Sequence, residues 1–440
     1  MGRRALCCDR VARAVSRNWH GPTGADGILA GVSFPRLASL PMSDVDLDLN
    51  GLAVDDPYPL LADVRRAGPV VRLSNGFWAV TGYEAAMEVF RQRAFASGPI
   101  AGRYVNALPP GAARDEMSHR INFLDPPDHP RVRGLVSKVF TPRRVADLVP
   151  WIAATAERLL DEIGDEAEVD LLRRFAHQLP SLVISEMLGV PSVDRDQLTA
   201  WSDDVAPLLG LTMTDAERER ALAAAEEFHA YLGALLEERR RRPGDDLLSA
   251  LLDAEENGER LQRVELLSLA ATLYSAGHRT TRDLFTNGMS VLLRGDGFAR
   301  VVDGRWPVAA VVSEFLRYET PTLFVVRVPV EPSTLGGAAI GAGEPVLIFL
   351  AAANRDPAVY DDPDPFRPGR AGPPPLSFAY GAHYCLGASL ARSEAETMLV
   401  ALSRRWPAAR LSGRPLRWHQ RGPFRGLDEL LIVPGPLSSR

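Results

Sequence analysis

The stretch FAYGAHYCLGASLAR, residues 378–392, contains the one cysteine in the body of a 440-residue chain, Cys385. Gly381 and Gly387 flank this cysteine, and glycine lets a backbone approach a flat group closely. A helical pattern follows, and the apolar residues able to share its face are Leu386, Leu390, Met398, Leu399 and Leu402. We therefore predict that Cys385 lies at a helix N-terminus, where the helix dipole and free N–H groups stabilise a thiolate. Without further context, a lone cysteine is typical of a buried and unreactive position.

Composition places the chain among large globular proteins. It is 46% hydrophobic and 24% charged, which is ample for a core in one large domain or two. The net charge of −6 is too small to indicate a nucleic-acid partner. Three cysteines, two of them adjacent, exclude a disulfide framework and suit a reducing cytoplasm. No run of about 20 apolar residues occurs, so no membrane-spanning helix is expected.

Residues 1–41 differ in character from the rest of the chain. They are rich in arginine and lack the apolar segment of a signal peptide. We interpret them as a disordered tail or an over-extended start with Met42 as the initiator, which leaves residues 42–440 as the folded part. The alternative is a functional tail in which Cys7 and Cys8 bind a metal, although no set of partner ligands stands beside them.

The pattern around Cys385, F-x-x-G-x-H-x-C-x-G-x-x-L-A-R, resembles the haem-binding loop of cytochrome P-450 enzymes. The resemblance implies a single, mainly α domain with a minor β part, in which haem b lies between a long central helix and the helix after the cysteine. It also implies that the Cys385 thiolate is the axial iron ligand and that Gly387 lies close to the cofactor. Phe378 would pack near the sulfur, and His383 would reach a haem propionate. Ala379 stands where the family usually has glycine, which would slightly loosen the fit.

Two further segments resemble parts of the family that hold the haem carboxylates. FLDPPDHPRVRGLVSKVF, residues 123–140, resembles D-P-P-[DE]-H-x-x-x-R and places His129 and Arg133 four residues apart. Positions i and i+4 share a helix face, so both side chains can meet one anionic group. Arg327, in TLFVVRVPV, matches the arginine that family members direct at a propionate. Taken alone, the His-x-x-x-Arg spacing is typical of a solvated helix face.

The longest apolar helical pattern covers residues 261–295 and is interrupted by small residues at its middle. The segment Ala276-Gly277-His278-Arg279-Thr280-Thr281 resembles the family motif A-G-x-[DE]-T-[TS]. The resemblance implies that Ala276 and Gly277 leave room for O₂ and substrate, and that Thr280 hydrogen-bonds the oxygen and helps to deliver protons. Without the resemblance, the same residues fit a buried helix with an ordinary small-residue notch.

Arg279 stands where the family has an acid, so the usual proton relay is in doubt and two interpretations remain open. In the first, Arg279 points away from the haem and pairs with Asp203 or Asp204. Both lie in the segment between about Asp194 and Asp215, which would form the mobile roof over the pocket in the resembled fold. In the second, Arg279 faces the pocket, where its planar guanidinium would bind a substrate carboxylate.

The remaining family features concern the frame of the site. Glu314 and Arg317, spaced i and i+3 on a predicted helix, resemble the buried Glu-x-x-Arg pair that braces the haem loop. The segment from Ser97 to Arg120, rich in Gly, Pro and Ala, is predicted to be a long loop that covers the substrate pocket. Asn75-Gly76 between two apolar runs predicts a β-hairpin.

These resemblances imply a cytoplasmic haem-thiolate monooxygenase of secondary metabolism that inserts one oxygen atom from O₂ into a small organic substrate. Electrons would come from a separate ferredoxin and ferredoxin reductase, since no further domain is found. The basic residues that could form the ferredoxin-docking face are Arg131, Lys138, Arg143 and Arg144. Two other classes remain open, namely a peroxide-using or oxidative-coupling haem enzyme, and a non-catalytic haem- or ligand-binding protein.

Overall fold

The computed structural model of the protein describes residues 45–47, 52, 55–209, 213–254 and 258–435. The predicted tail, residues 1–41, and the adjacent cysteines Cys7 and Cys8 lie outside these residues. The first half of the described chain forms helices α1 (Tyr58–Ala67), α2 (Tyr83–Arg91), α3 (Gly98–Ala107), α4 (Ala112–His119), α5 (Asp128–Val139), α6 (Pro142–Ile163), α7 (Gln178–Leu188) and α8 (Arg195–Val205). The second half forms α9 (Asp215–Arg241), α10 (Leu247–Asp253), α11 (Arg263–Leu292), α12 (Gly297–Val302), α13 (Val308–Tyr318), α14 (Leu350–Ala353) and α15 (Ala388–Arg405).

The strands are short and form a minor part of the structure. They are β1 (Val70–Arg72), β2 (Trp78–Val80), β3 (Phe95–Ala96), β4 (Val169–Asp170), β5 (Val325–Pro329), β6 (Ser333–Leu335), β7 (Ala338–Ile340), β8 (Val346–Ile348), β9 (Arg410–Leu411), β10 (Trp418–Arg421), β11 (Phe424–Leu427) and β12 (Leu431–Val433). The largest sheet has the order β1-β2-β8-β5-β3, with β2 and β8 parallel. The mainly α fold with a minor β part is therefore confirmed.

Helix α11 organises the largest hydrophobic core. Its start is fixed by a capping box in which Gln262 and Glu265 exchange hydrogen bonds with each other's backbone N–H. Buried side chains of α6, α7, α13 and α15 pack around it, as Ile152, Val183, Phe315 and Met398 illustrate. The predicted long central helix is confirmed, and so is the hairpin, since β1 and β2 pair antiparallel across a turn where Gly76 has φ 86°.

The prediction of a long loop from Ser97 to Arg120 is wrong, because the segment forms helices α3 and α4. Distant carboxylates supply acceptors for the first N–H groups of both helices. Asp125 accepts from the N–H groups of Ser97 and Gly98, and Glu226 of α9 accepts from Ala112 at 2.7 Å. Gly111, with φ 145°, separates the two helices. No pattern within the segment shows these partners, so its glycine and proline content dominated the prediction.

No helix in the described part of the chain combines the length and apolar character that crossing a bilayer requires. The segment from about Asp194 to Asp215, predicted to form the roof over the pocket, contains α8, a short 3₁₀ turn from Ala206 to Leu209 and the start of α9. Residues 210–212 of the same predicted segment lie outside the described residues.

Candidate active site

Cys385 lies in the turn that leads into α15, three residues before the first residue of that helix. Its backbone N–H donates to Phe378 O at 3.0 Å, which closes the loop onto itself. The Cys385 residue is exposed to solvent, yet the protein atoms packed around its sulfur raise the pKa of the thiol. A hydrogen bond from the Gly387 backbone and the charge of Arg133 act in the opposite direction. The N-terminal position was expected to stabilise a thiolate, but the Gly387 hydrogen bond and the Arg133 charge do not outweigh the desolvation of the sulfur. Coordination to a metal would deprotonate the thiol outright.

The loop residue Ala379 has φ 56° and ψ −156°, a backbone region occupied almost only by glycine. Such a conformation costs on the order of 1–3 kcal/mol for a residue with a Cβ. The substitution of the family's glycine therefore stores backbone strain beside the cysteine, which goes further than the slightly looser fit expected from the sequence.

We predict that Ala379→Gly stabilises the protein by about 1 kcal/mol, since relief of the strain exceeds the roughly 0.5–1 kcal/mol entropic cost of a glycine. The free energy of unfolding from denaturant titration measures this change. Ala382→Gly in the same loop is the matched control, because Ala382 lies outside the positive-φ residues and should only lose stability. An unchanged or lower stability of Ala379→Gly would contradict the strain.

Four basic side chains from three parts of the chain gather beside the cysteine loop. The rings of His129 and His383 lie 4.0 Å apart between centroids, and Arg133 donates to Tyr384 O at 2.8 Å. Arg327 is 9% exposed, and its guanidinium donates to the carbonyl of its neighbour Val326. The structure thus brings together the four residues that the sequence assigned to propionates.

The electrostatics of this basic cluster indicate that it binds anions. Burial lowers the pKa of Arg327 to about 10, and burial together with the charges of Arg327, His129 and Arg133 lowers the pKa of His383 to about 3. Among the described residues, no carboxylate forms a salt bridge with Arg133 or Arg327. Two propionates would supply the missing negative charge, so the residues present fit a haem with its carboxylates held here.

Phe378 and Gly387 both make backbone hydrogen bonds with Cys385, and their proximity to the cofactor stays a prediction. Phe378 lies under the guanidinium of Arg392 at 5.3 Å and edge-on to Tyr384 at 6.3 Å between ring centroids. A Cβ added to Gly387 would meet nothing within 4 Å, so this position borders open space.

Across the site, α11 presents Ala276 and Thr280. Ala276 is exposed although it lies at the middle of a largely buried helix, and the Thr280 hydroxyl donates to Ala276 O at 2.8 Å. Gly277 has a different role from the one predicted, because a Cβ there would meet Ile184 of α7 at 3.1 Å. The glycine therefore allows α7 to pack closely on α11, and the room beside Thr280 comes from Ala276.

Arg279 points toward α8. Its Nε lies 3.7 Å from Asp203 Oδ1, and the side chain is 12% exposed. His278 Nε2 lies 3.5 Å from the same oxygen. Burial acts to raise the pKa of Asp203, but the hydrogen bond and charge of His278 and the charge of Arg279 bring it well below its usual range. This is the arrangement that the outward interpretation predicts, with Asp203 rather than Asp204 as the partner.

We predict that Arg279→Ala leaves substrate affinity unchanged, as measured by spectral titration of the haem-loaded protein. Stability should fall by roughly 0–1 kcal/mol, because the contact is long and Asp203 is partly exposed. A carboxylate clamp would instead cost about 2–5 kcal/mol of binding. A hundredfold loss of affinity would therefore contradict the bridge to Asp203 as the role of Arg279.

The ion pair of α13 braces the start of the cysteine loop. Glu314 accepts from Arg317 Nε and Nη2 at 2.8 and 2.7 Å, and Arg317 also donates to Asn354 O at 3.0 Å. Asn354 in turn accepts from Leu376 N–H and donates to Ser377 Oγ. The sequence did not single out Asn354, although it opens an N-R-D-P stretch that resembles the family.

Comparisons with known proteins agree with this geometry. The family model described as "Cytochrome P450" matches residues 308–409. The chain is 38% identical over 401 residues to "Cytochrome P450 monooxygenase PikC" of Streptomyces venezuelae, covering 88% of this chain and 94% of that protein. It is 36% identical over 398 residues to "Mycinamicin IV hydroxylase/epoxidase" of Micromonospora griseorubida, covering 88% and 97%. The crystal structure of CalO2 superposes with a TM-score of 0.83 at 32% identity, covering 91% of this chain and 100% of CalO2.

Proposed function

The chain belongs to the cytochrome P450 family, and from that premise we propose that it hydroxylates or epoxidises a small organic substrate of secondary metabolism. The protein is a monooxygenase that binds haem b through a cysteine thiolate, and the position of Cys385 beside the basic cluster is the observation that supports Cys385 as this ligand. The hydroxylase/epoxidase name of the Micromonospora relative supports the reaction type. A cytoplasmic location belongs to the same proposal and is supported by the small number of cysteines.

When bound, the haem supplies an iron at which dioxygen is activated for transfer of one oxygen atom. Its carboxylates would be held by Arg133, Arg327 and the His129–His383 pair. The exposed methyl group of Ala276 leaves space on α11, and the Thr280 hydroxyl, which donates to Ala276 O, could turn toward that space to hold a proton. Because Arg279 is engaged with Asp203, the proton that Thr280 passes on must arrive through ordered water or a substrate group.

A separate ferredoxin with its reductase is the proposed electron source. Two of the basic residues proposed to dock the ferredoxin already pair with carboxylates of this chain. Arg131 forms hydrogen bonds with both carboxylate oxygens of Glu265, and Arg144 lies 3.2 Å from Asp245. The positive charge available to an acidic partner is therefore smaller than the residue count indicates. Reduction of the haem-loaded protein by a panel of ferredoxins, at low and high salt, tests the partner.

We expect Thr280→Ala to divert electrons from product into hydrogen peroxide, because the variant lacks the hydroxyl that holds and moves the proton. The measurement is product and peroxide formed per electron pair in the ferredoxin-driven reaction. Thr281→Ala is the matched control, since the Thr281 hydroxyl is engaged with Gly277 O one position along the helix. Equal coupling in Thr280→Ala and the parent protein would remove Thr280 from the proposed route.

A peroxide-using enzyme is the second candidate, and the salt-bridged arginine at the position of the usual acid favours it. Turnover with ferredoxin and O₂ is compared with turnover on hydrogen peroxide using the same substrate panel, selected by haem spectral shifts. Faster turnover with peroxide alone would replace the proposed function by this alternative.

A further inference from the structure

Asp125 lies between the basic cluster and the N-terminus of α3, and its carboxylate serves that helix. Its Oδ1 accepts from Ser97 N–H at 2.9 Å and its Oδ2 from Gly98 N–H at 2.6 Å. Ser97 occupies the capping position but makes no side-chain cap hydrogen bond, and its hydroxyl is buried without a partner. The cap of α3 is therefore supplied by a residue 28 positions away in the chain.

Gly98 makes this approach possible. A Cβ at Gly98 would lie 2.7 Å from Asp125 Oδ2, closer than real Cβ atoms come to their neighbours. Only a residue without a side chain at the start of α3 therefore leaves room for the Asp125 carboxylate.

The same aspartate acts on the basic cluster. Its negative charge acts to raise the pKa of the buried Arg327 and of His129, although burial keeps both pKa values below their ordinary range. Its backbone carbonyl accepts from His129 N–H at 2.9 Å, which fixes the start of α5. Asp125 thus holds α3 with its side chain and the His129 backbone with its main chain.

Helix α3 contacts the segment that is predicted to form the roof over the pocket. Tyr104 of α3 stacks on Phe123 with ring centroids 5.5 Å apart, and its hydroxyl donates to Leu209 O at 3.4 Å. The position of α3 therefore influences the segment that follows α8.

We propose that Asp125 is a positioning residue that couples occupation of the basic cluster by haem carboxylates to the ordering of α3. Without those carboxylates, the Arg327 cation attracts Asp125 and competes with the N–H groups of Ser97 and Gly98. Two bound carboxylates neutralise the two arginine cations, so Arg327 no longer draws Asp125 away from the helix N-terminus. Haem binding thereby orders the helix that leads to the cover of the substrate cavity. The inference takes haem binding as given and does not depend on the substrate or oxidant.

Hydrogen exchange of the full chain, read by mass spectrometry over residues 98–107, tests this coupling with and without haem. We expect haem to slow exchange there in the parent protein. In Asp125→Asn the haem-bound exchange should be faster by about 2- to 5-fold, the range for loss of a carboxylate charge at a helix N-terminus. In this variant, residues 98–107 should exchange at the same rate in haem-loaded and haem-free protein. Exchange in α15 should still become slower when haem binds. Asp128→Asn, an exposed carboxylate in the same segment, is the control and should behave like the parent.

Gly98→Ala provides a second test that leaves the charge of Asp125 in place. Its Cβ displaces the carboxylate, although alanine is the better helix former. Haem binding should be normal, and the haem-dependent protection of residues 98–107 should be lost. If Gly98→Ala keeps the haem-dependent protection, the coupling through Asp125 is refuted, whatever the fate of Asp125→Asn. If Asp125→Asn binds haem and keeps the haem-dependent protection of residues 98–107, haem orders α3 by direct contact. The proposal is then equally overturned.

Discussion

Cys385→Ala protein is expected to show no strongly red-shifted Soret band in the carbon monoxide difference spectrum of its reduced form. That band is the signature of a thiolate ligand, and Cys385 is the only cysteine among the described residues. The protein packed around the sulfur raises the pKa of the free thiol, so the anion depends on the metal for its stability. Removal of the sulfur therefore removes the ligand and leaves the haem held only by its carboxylates and contacts.

The double variant Cys7→Ala, Cys8→Ala controls for loss of thiols elsewhere and should keep the full band. Far-UV circular dichroism establishes that Cys385→Ala is folded. A folded Cys385→Ala protein that retains the band would assign the iron ligand to another residue and overturn the central interpretation of the site.

The parts of the site that the sequence predicts are those with local or fixed spacing. The cysteine loop precedes α15 as expected, and Glu314 and Arg317 are one helical turn apart, so their pairing follows from helix geometry. The long apolar pattern of α11 predicts one helix despite the small residues at its centre. The helix does run unbroken from Arg263 to Leu292.

The parts that sequence could not predict depend on partners far along the chain. Helices α3 and α4 begin at N–H groups satisfied by Asp125 and Glu226, so local propensity gave a loop. The role of Gly277 depends on Ile184, which the chain brings against α11 only through the packing of α7. Both orientations of Arg279 were chemically sound, and the choice required the position of Asp203 on α8. The strain at Ala379 is likewise a property of the folded backbone.

Glu314→Gln is expected to have the largest effect on stability. The Glu314 carboxylate accepts from Arg317, from Arg370 Nε at 3.2 Å and from Arg367 N–H at 2.8 Å. The Arg317 side chain is 2% exposed, so a neutral partner leaves a buried cation without its counter-charge. Removing one partner of a buried pair costs about 3–5 kcal/mol.

The same substitution should weaken haem retention, because the pair leads through Asn354 to the start of the cysteine loop. Arg317 holds the Asn354 carbonyl, and the Asn354 side chain holds Leu376 and Ser377, which precede Phe378 and the cysteine turn. We expect faster transfer of haem from Glu314→Gln to an excess of apomyoglobin, in addition to the lower free energy of unfolding.

Asp63→Asn is the matched control for this prediction. Asp63 and Arg66 form a pair with the same i, i+3 spacing, but both side chains are largely exposed. Loss of an exposed pair costs only about 0–1 kcal/mol, and this one is unconnected to the cysteine loop, so its rate of haem loss should equal that of the parent. Similar unfolding free energies for Glu314→Gln and Asp63→Asn would show that burial does not make the pair of α13 essential. A large loss of stability with unchanged haem transfer would instead separate the ion pair from the bracing of the cysteine loop.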